Sequence, residues 1–284
     1  MSIRDISFTL PNSHIAALTN AKSTKPLLIM VHGWLDNAAS FSPLIPYLDD
    51  YHVIAIDLPG HGKSSHRSAD AHYHLIDYVN DLHALITSQH WHSIFFVGHS
   101  LGGIISSIYC AAFPERVSKF VCIESAGPLT ELESTSIEQI RQSILSRLQA
   151  DDKEIKQPED LESIIRARQK VSDLSFDNAK VILSRNTQLD PSGQLIWSTD
   201  KRLRTKSTLR LTSGQAENIM SQLACLTHFV LGSNGFSKVS KLLHQRSGLL
   251  KNYQVTELEG GHHVHMEACD EVAKIISTHF DAYK

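Results

Sequence analysis

The sequence predicts an α/β fold: a mostly parallel central sheet with helices on both faces and a helical cap inserted between two of its strands. Short runs rich in β-branched and aromatic residues alternate with helical stretches over residues 27–123, and the alternation resumes over 226–280. This rhythm is typical of parallel sheets, because a parallel connection needs a crossover that is usually a helix. The 284 residues suffice for one such domain carrying an insertion.

The chain opens with a predicted antiparallel hairpin, since residues 3–10 and 14–18 alternate or cluster apolar side chains around the turn-forming Pro11-Asn12-Ser13. The strands that follow are expected at 27–31, 53–58, 94–97, 119–123, 226–231 and 253–258. Helices are expected near 40–49, 71–90, 101–113, 237–246 and 264–280. We expect residues 1–127 and 223–284 to form the core domain.

The segment 128–222 follows a different pattern. Apolar residues recur at helical spacing from Ile137 to Leu148, and again from Leu161 to Ile165 after Pro158, which is placed for a helix start. We therefore expect a mostly helical cap over the sheet, whose displacement opens the site.

Charge and composition narrow the possible partners. The formal net charge is −3, and the charges are spread without blocks, which disfavours nucleic acid and anionic membranes as partners. The basic run 201–204 is interpreted as a solvated surface. A small neutral substrate is expected. The sequence does not indicate the oligomeric state.

Cellular location is inferred from cysteine usage and hydropathy. The chain has four scattered cysteines: Cys110, Cys122, Cys225 and Cys269. Three of them lie in apolar runs, which favours buried, reduced thiols and a cytoplasmic location. The N-terminus does not read as a signal peptide, and no apolar run reaches the 18 or so residues of a membrane span.

The pentapeptide Gly98-His99-Ser100-Leu101-Gly102 fits the G-x-S-x-G pattern of a nucleophile elbow. It lies between the predicted strand 94–97 and the predicted helix 101–113, which is the strand-turn-helix context that the elbow requires. Its glycines allow a strained turn that presents the Ser100 hydroxyl at the carboxyl edge of the sheet. The alternative is a plain turn between a strand and a helix.

An oxyanion hole is expected where the strand 27–31 ends, at Val31-His32-Gly33-Trp34. The backbone N–H groups of Trp34 and Leu101 would point at the oxygen that becomes negative in a tetrahedral intermediate. The alternative for His32-Gly33 is an ordinary turn.

The general base is expected in Gly260-Gly261-His262, between the strand 253–258 and the last helix. The two glycines give this loop the reach to bring the His262 imidazole over the sheet edge. His263 and His265 are competitors, although His265 can face inward from the start of the helix. A metal site formed by these three histidines is the other interpretation, but no run of Cys, Asp or Glu with ligand spacing supports it, so no metal is expected.

A phosphate-binding loop is suggested by Gly60-His61-Gly62-Lys63-Ser64 but is incomplete. The P-loop needs a glycine five residues before Gly62, where this chain has Asp57. A nucleotide hydrolase is therefore disfavoured.

Together the quoted segments around His32, Asp57–Ser64, Ser100 and His262 resemble the α/β-hydrolase superfamily. In detail, 32–37 and 261–267 resemble its serine hydrolase-like and carboxylesterase members. The resemblance covers about 1–127 and 223–284, and it implies a triad of serine, acid and histidine without a metal or organic cofactor.

The acid departs from the common pattern of this fold, in which it lies in the loop after the strand 226–231. That loop reads Leu231-Gly232-Ser233-Asn234-Gly235-Phe236 and carries no carboxylate. Glu124 ends the strand 119–123, so it should emerge at the same edge as Ser100, and some haloalkane dehalogenases resemble this arrangement. We therefore expect Glu124 to be the acid; the alternative is that Asn234 holds His262 as a neutral acceptor.

These residues predict a serine hydrolase that cleaves carboxylic esters through an acyl-enzyme intermediate. A serine at the elbow argues against haloalkane dehalogenases and epoxide hydrolases, which resemble this fold but use an aspartate there. A lactonase, a thioesterase or a carbon–carbon bond hydrolase would use the same triad. A non-catalytic small-molecule-binding protein on the same scaffold is the alternative of another class.

Overall fold

One eight-stranded sheet organises the protein, which is described here from a computed structural model covering residues 2–281. The strands lie in the order β1-β2-β4-β3-β5-β6-β9-β10; β2 is antiparallel to both of its neighbours, β1 and β4, and the six strands from β4 to β10 in this order are mutually parallel. The sheet strands are β1 Arg4–Leu10, β2 Ser13–Thr19, β3 Leu27–Val31, β4 His52–Ile56, β5 Ile94–His99, β6 Val117–Ile123, β9 Leu226–Gly232 and β10 Tyr253–Leu258. This arrangement confirms the predicted fold class and the opening hairpin.

Helices connect the parallel strands and fill the insertion. Five belong to the residues flanking the insertion: α1 Leu75–Ser88, α2 Leu101–Ala112, α7 Ser237–Arg246, α8 Val264–Glu267 and α9 Cys269–Asp281. The segment 128–222 holds α3 Ser136–Asp152, α4 Leu161–Gln169, α5 Phe176–Arg185, α6 Ser213–Ser221 and a separate hairpin of β7 Thr187–Leu189 and β8 Leu195–Trp197. Within residues 2–281, no helix combines the length and hydropathy needed to cross a membrane.

The core lies on both faces of the sheet, which explains the continuous apolar runs of its central strands. Along β3, Ile29 packs into the layer covered by α1 and α2, whereas Leu28 and Met30 pack into the layer covered by α9. All three side chains are fully buried. Burial on both faces fixes the strand register, and the register sets which residues meet at the carboxyl edge.

Two predicted helices differ from the structure. The predicted helix over 40–49 is wrong, because this stretch forms two 3₁₀ turns, Ala38–Phe41 and Ile45–Tyr47. Pro43 and Pro46 lack the N–H groups that a continuous α-helix would use. The predicted helix over 264–280 is divided at Ala268 into α8 and α9.

A buried ion pair joins the insertion to the core. The Arg185 guanidinium on α5 donates from Nε to both oxygens of Asp57, at 3.0 and 2.9 Å. Asp57 is fully buried and also accepts from the backbone N–H groups of Ala38 and Lys63, at 2.8 and 2.9 Å. Asp57, which stands where a P-loop would have a glycine, therefore binds two loops and the inserted segment.

Arg185→Ala is expected to lower the free energy of unfolding by about 3–5 kcal/mol, because it leaves the buried Asp57 carboxylate without its cation. Urea unfolding followed by circular dichroism measures the loss. The matched control is Arg166→Ala, which removes an exposed partner of Glu162 and should cost less than about 1 kcal/mol. Equal effects of the two substitutions would contradict this account of the contact.

Candidate active site

Ser100 occupies a sharp turn between the end of β5 and the start of α2. Its backbone is in the left-handed region of φ, with φ 50° and ψ −114°, a strained conformation that often marks functional positions. The turn also brings α2 unusually close to β3, since a Cβ on Gly102 would lie 1.9 Å from the carbonyl oxygen of Val31. The structure thus places the predicted serine on a strand-turn-helix elbow at the carboxyl edge.

The predicted oxyanion-hole residues flank this elbow. Leu101 is the first residue of α2, where backbone N–H groups have no acceptor within the helix. The loop that carries Trp34 is next to it, because β3 pairs with β5. The Trp34 indole N–H donates to the carbonyl oxygen of Leu203 at 2.9 Å, so this half-exposed side chain contacts the inserted segment.

His32 fixes the turn that precedes Trp34. Its ring is buried, and burial lowers its pKa to about 4, so it is neutral near pH 7. The Leu58 N–H donates to Nε2 at 3.0 Å, which leaves Nδ1 protonated to donate to the Gly33 carbonyl oxygen at 2.7 Å. His32 therefore links the loop after β3 to the loop after β4 through hydrogen bonds at the sheet edge.

Glu124 and His262 form the central contact of the site. The His262 Nδ1 lies 3.0 Å from Glu124 Oε2, and both residues are buried. A carboxylate accepts, so Nδ1 carries the proton and Nε2 keeps its lone pair. The structure brings together the two residues that the sequence predicted as acid and base.

The loop after β9 wraps around Glu124 instead of supplying an acid. The Gly232 N–H donates to Oε1 at 2.8 Å, and the Phe236 N–H donates to Oε2 at 3.2 Å. A Cβ on Gly235 would lie 2.3 Å from Oε1, so glycine is required for this close approach. Backbone donors thus occupy the place where a carboxylate is common, and they stabilise negative charge on Glu124.

Asn234 does not hold His262. Its side chain is exposed, and the hydrogen bond that its Nδ2 makes goes to Ser233 Oγ at 3.4 Å. Phe236 contacts the histidine instead: the two rings stack with centroids 4.1 Å apart and planes 24° apart. The geometry therefore favours Glu124 over the alternative acceptor.

The His262 backbone is tied to both the core and the inserted segment. The His99 ring donates from Nε2 to the His262 carbonyl oxygen at 2.9 Å. The His262 N–H donates to the carboxylate of Asp173, which lies between α4 and α5. Because His99 precedes Ser100, these contacts hold the His262 backbone close to the elbow. Within residues 2–281 no hydrogen bond joins the Ser100 hydroxyl to the His262 ring.

The two competing histidines have other surroundings. His265 is fully buried against Phe41 and His99, and neither of its ring nitrogens has a hydrogen-bond partner among the described residues. Burial opposes protonation of His263, but the carboxylates of Asp36 and Asp173 on either side raise its pKa to about 9. Neither ring is placed to act as a neutral base at the elbow.

Sequence reasoning missed Asp36 and Asp173, which together bracket the loop after His262. Asp36 Oδ2 lies 3.1 Å from His263 Nε2, and Asp173 Oδ1 lies 2.9 Å from His263 Nδ1. Arg168 on α4 donates to Asp36 Oδ1 at 3.2 Å. Asp36 sits in the His32–Asn37 segment and could have been singled out, whereas nothing local marks Asp173, because its role depends on how the insertion folds back.

Comparisons with known proteins agree with this geometry. Residues 26–215 match the model of the α/β hydrolase fold family. The chain is 29% identical over 298 residues to human serine hydrolase-like protein 2, covering 97% of this chain and 93% of that protein. The curated relatives support a hydrolase.

Two solved structures show the same fold over nearly the full length. A hypothetical protein from Pseudomonas aeruginosa superposes with a TM-score of 0.91 at 30% identity, covering 98% of this chain and 99% of that one. A thioesterase domain from the curacin biosynthetic pathway superposes with a TM-score of 0.84 at 22% identity, covering 98% and 100%. The chain belongs to the α/β hydrolase family.

Proposed function

We propose that the protein is a serine hydrolase that cleaves small neutral carboxylic esters through an acyl-enzyme intermediate. Ser100 attacks the carbonyl carbon, and His262 accepts its proton at Nε2 and returns it to the leaving alcohol. Glu124 holds the ring in the required tautomer and stabilises the imidazolium. Water then attacks the acyl carbon while His262 accepts its proton, and His262 returns a proton to the Ser100 oxygen as the bond to the acyl group breaks and the acid leaves. The chemistry requires neither a metal nor an organic cofactor.

One observation carries the proposal: a buried carboxylate orients the imidazole of His262 at the edge where a strained serine is presented. A non-catalytic binding protein would have no use for a serine with positive φ and a histidine ring held by a buried Glu124 in one place. Ser100 and His262 are not hydrogen-bonded among the described contacts, but such bonds are often long without substrate and tighten in the complex.

The oxyanion hole is proposed from the backbone N–H groups of Trp34 and Leu101. The α2 N-terminus supplies the Leu101 donor and a positive end of a helix dipole. The buried His32 holds the turn that aims Trp34. Each donor is expected to stabilise the transition state by roughly 3 kcal/mol.

We propose that residues 128–222 act as the cap of this site and shape its acyl or alcohol pocket. Asp173 from this segment supports the His262 backbone, and Leu203 accepts from Trp34, so the segment lies against both sides of the elbow. The proposed cytoplasmic location is supported by the cysteines of the chain, all of which are free thiols.

A hydrolysis panel tests the proposed substrate class. Aryl esters graded by acyl length are assayed beside lactones and thioesters, with the Ser100→Ala protein as the blank. Turnover of esters with higher kcat/KM than the other classes is the expected result. A preference for thioesters or lactones, with no ester turnover, would replace the proposed substrate class and leave the nucleophile assignment intact.

A further inference from the structure

A cluster of three buried side chains lies behind the His262 loop and is not used by the proposed chemistry. Asp36, His99 and His263 each offer one ligand atom, and these atoms all lie within 4.8 Å of one another. Asp36 and His99 are almost fully buried, and His263 is 4% exposed. The set contains one carboxylate and two imidazoles from three separate parts of the chain.

One atom of this cluster lacks a partner. His99 Nε2 donates to the His262 carbonyl oxygen, so its Nδ1 carries a lone pair in the neutral ring. That Nδ1 is buried without a hydrogen bond in the described part of the chain and lies 3.7 Å from Asp36 Oδ2. In the neutral ring this lone pair therefore faces a carboxylate oxygen.

Gly33 lies against the unpartnered nitrogen. A Cβ on it would lie 2.9 Å from His99 Nδ1 and 3.2 Å from Asp36 Oδ2, so the lack of a side chain at this position allows the two groups to approach each other. The same Asp36 oxygen, Oδ2, faces both histidines, at 3.1 Å from His263 Nε2 and 3.7 Å from His99 Nδ1. Two ligands about 2.0–2.1 Å from a tetrahedral ion are ~3.3 Å apart, so these two separations are close to the required value. The two histidine nitrogens lie within 4.8 Å of each other.

The second ring nitrogen of His99 and of His263 already makes the kind of hydrogen bond that is typical of metal-binding histidines. Such residues donate their other ring N–H to a carboxylate or a backbone carbonyl, which fixes the tautomer. His263 Nδ1 faces Asp173 Oδ1 at 2.9 Å, and His99 Nε2 faces a carbonyl oxygen at 2.9 Å. Arg168 occupies Asp36 Oδ1 and leaves Oδ2 for the centre of the cluster.

We propose that Asp36, His99 and His263 form a binding site for a divalent transition ion of the Zn²⁺ type. Nitrogen and oxygen ligands in this ratio suit Zn²⁺, and three protein ligands leave one position for water. The ion replaces the hydrogen bond between His263 Nε2 and Asp36 Oδ2, and the Nε2 proton leaves to solvent. This site differs from a cluster of His262, His263 and His265, because His262 faces Glu124 and His265 pairs with no acid among residues 2–281.

Occupancy is expected to inhibit the hydrolase, a consequence that rests on the proposed function. Exchanging a proton for a divalent ion adds one positive charge near His262, whose ring centroid lies 5.4 Å from that of His263 and 4.8 Å from that of His99. This charge opposes formation of the His262 imidazolium. Saturating Zn²⁺ should therefore lower kcat roughly tenfold or more.

The test is a Zn²⁺ titration of chelator-treated protein against a competing metal indicator. The wild-type protein should bind one ion per chain at this site, and Asp36→Asn and His99→Gln should each weaken that binding more than the loss of an outer-shell partner does, which is about 10–100-fold. Asp173→Asn, which acts through His263, should weaken it by about 10–100-fold. Circular dichroism and thermal unfolding establish that each variant is folded.

Two matched controls separate this site from its neighbours. His265→Phe removes an adjacent buried imidazole whose ring nitrogens have no partner in the part of the chain that the structure describes, and His262→Gln removes the proposed base. Both variants should bind Zn²⁺ as the wild type does. Absence of a one-to-one site in the wild type, or unchanged binding in both Asp36→Asn and His99→Gln, would overturn the proposal. Binding without inhibition would leave the site intact and reject only the effect on His262.

Discussion

Ser100→Ala and His262→Ala are each expected to lower kcat by on the order of 10⁵ to 10⁶, and the double variant by no more than either. The reason is that every proton transfer proposed for His262 belongs to the formation or hydrolysis of the acyl group on Ser100, so removing one partner makes the other ineffective. Activity is measured with the best ester from the hydrolysis panel under saturating conditions.

The fold should survive these substitutions. Ser100 leaves no cavity of consequence when its hydroxyl is removed, and thermal unfolding checks both variants. The control His265→Phe alters a neighbouring histidine that no proposed step uses, and it should keep kcat within about tenfold of the wild type. Multiplicative losses in the double variant would show that Ser100 and His262 do not act as a unit.

Glu124→Gln is expected to lower kcat by about 10³ to 10⁴, because an amide at this position favours the wrong His262 tautomer. In the wild type, the Gly232 and Phe236 N–H groups each donate to one oxygen of the Glu124 carboxylate. In the variant, the amide NH₂ would face one of these two donors instead of accepting from it. Rates of Ser100 acylation and kcat for the same ester measure the effect.

Asn234→Ala is the matched control for the acid. Asn234 lies in the loop where this fold commonly carries its acid, and its exposed side chain bonds only weakly to Ser233. We expect a loss of less than about tenfold. The opposite ranking, with Asn234→Ala the more damaging change, would contradict the assignment of Glu124.

Most of the sheet could be predicted from the sequence because its strands are buried on both faces. The run 27–31 is apolar throughout and the run 226–231 is mostly apolar, and they correspond to β3 and β9 within about a residue. The stretch 40–49 was predicted wrongly because apolar spacing suggested a helix, although Pro43 and Pro46 restrict it to 3₁₀ turns. The hydrophobic pattern of a segment predicts its burial more reliably than it predicts whether the segment forms an α-helix or 3₁₀ turns.

The residues of the candidate site could be predicted where strand ends determine them. Parallel strands meet at one edge, so Ser100 after β5 and Glu124 after β6 had to be neighbours. Both residues also have positive φ, at 50° and 47°, a feature that sequence did not indicate for Glu124.

The contacts made by the insertion could not be predicted. The basic run 201–204 was interpreted as a solvated surface, yet Arg202 is buried. Its guanidinium pairs with Asp200 and donates to carbonyl oxygens of the loop 67–71. Asp173 likewise acquires its role only through the path of the folded segment, because its partners are about 90 residues away.

Labelling with a fluorophosphonate probe, followed by mass spectrometry of the digested protein, tests the central assignment most directly. The probe reacts with an activated serine without requiring the natural substrate. We expect a single adduct on the peptide that contains Ser100, absent in Ser100→Ala and slowed by orders of magnitude in His262→Ala. No adduct on the folded wild-type protein, or an adduct that persists in Ser100→Ala, would contradict the assignment of Ser100 as the nucleophile.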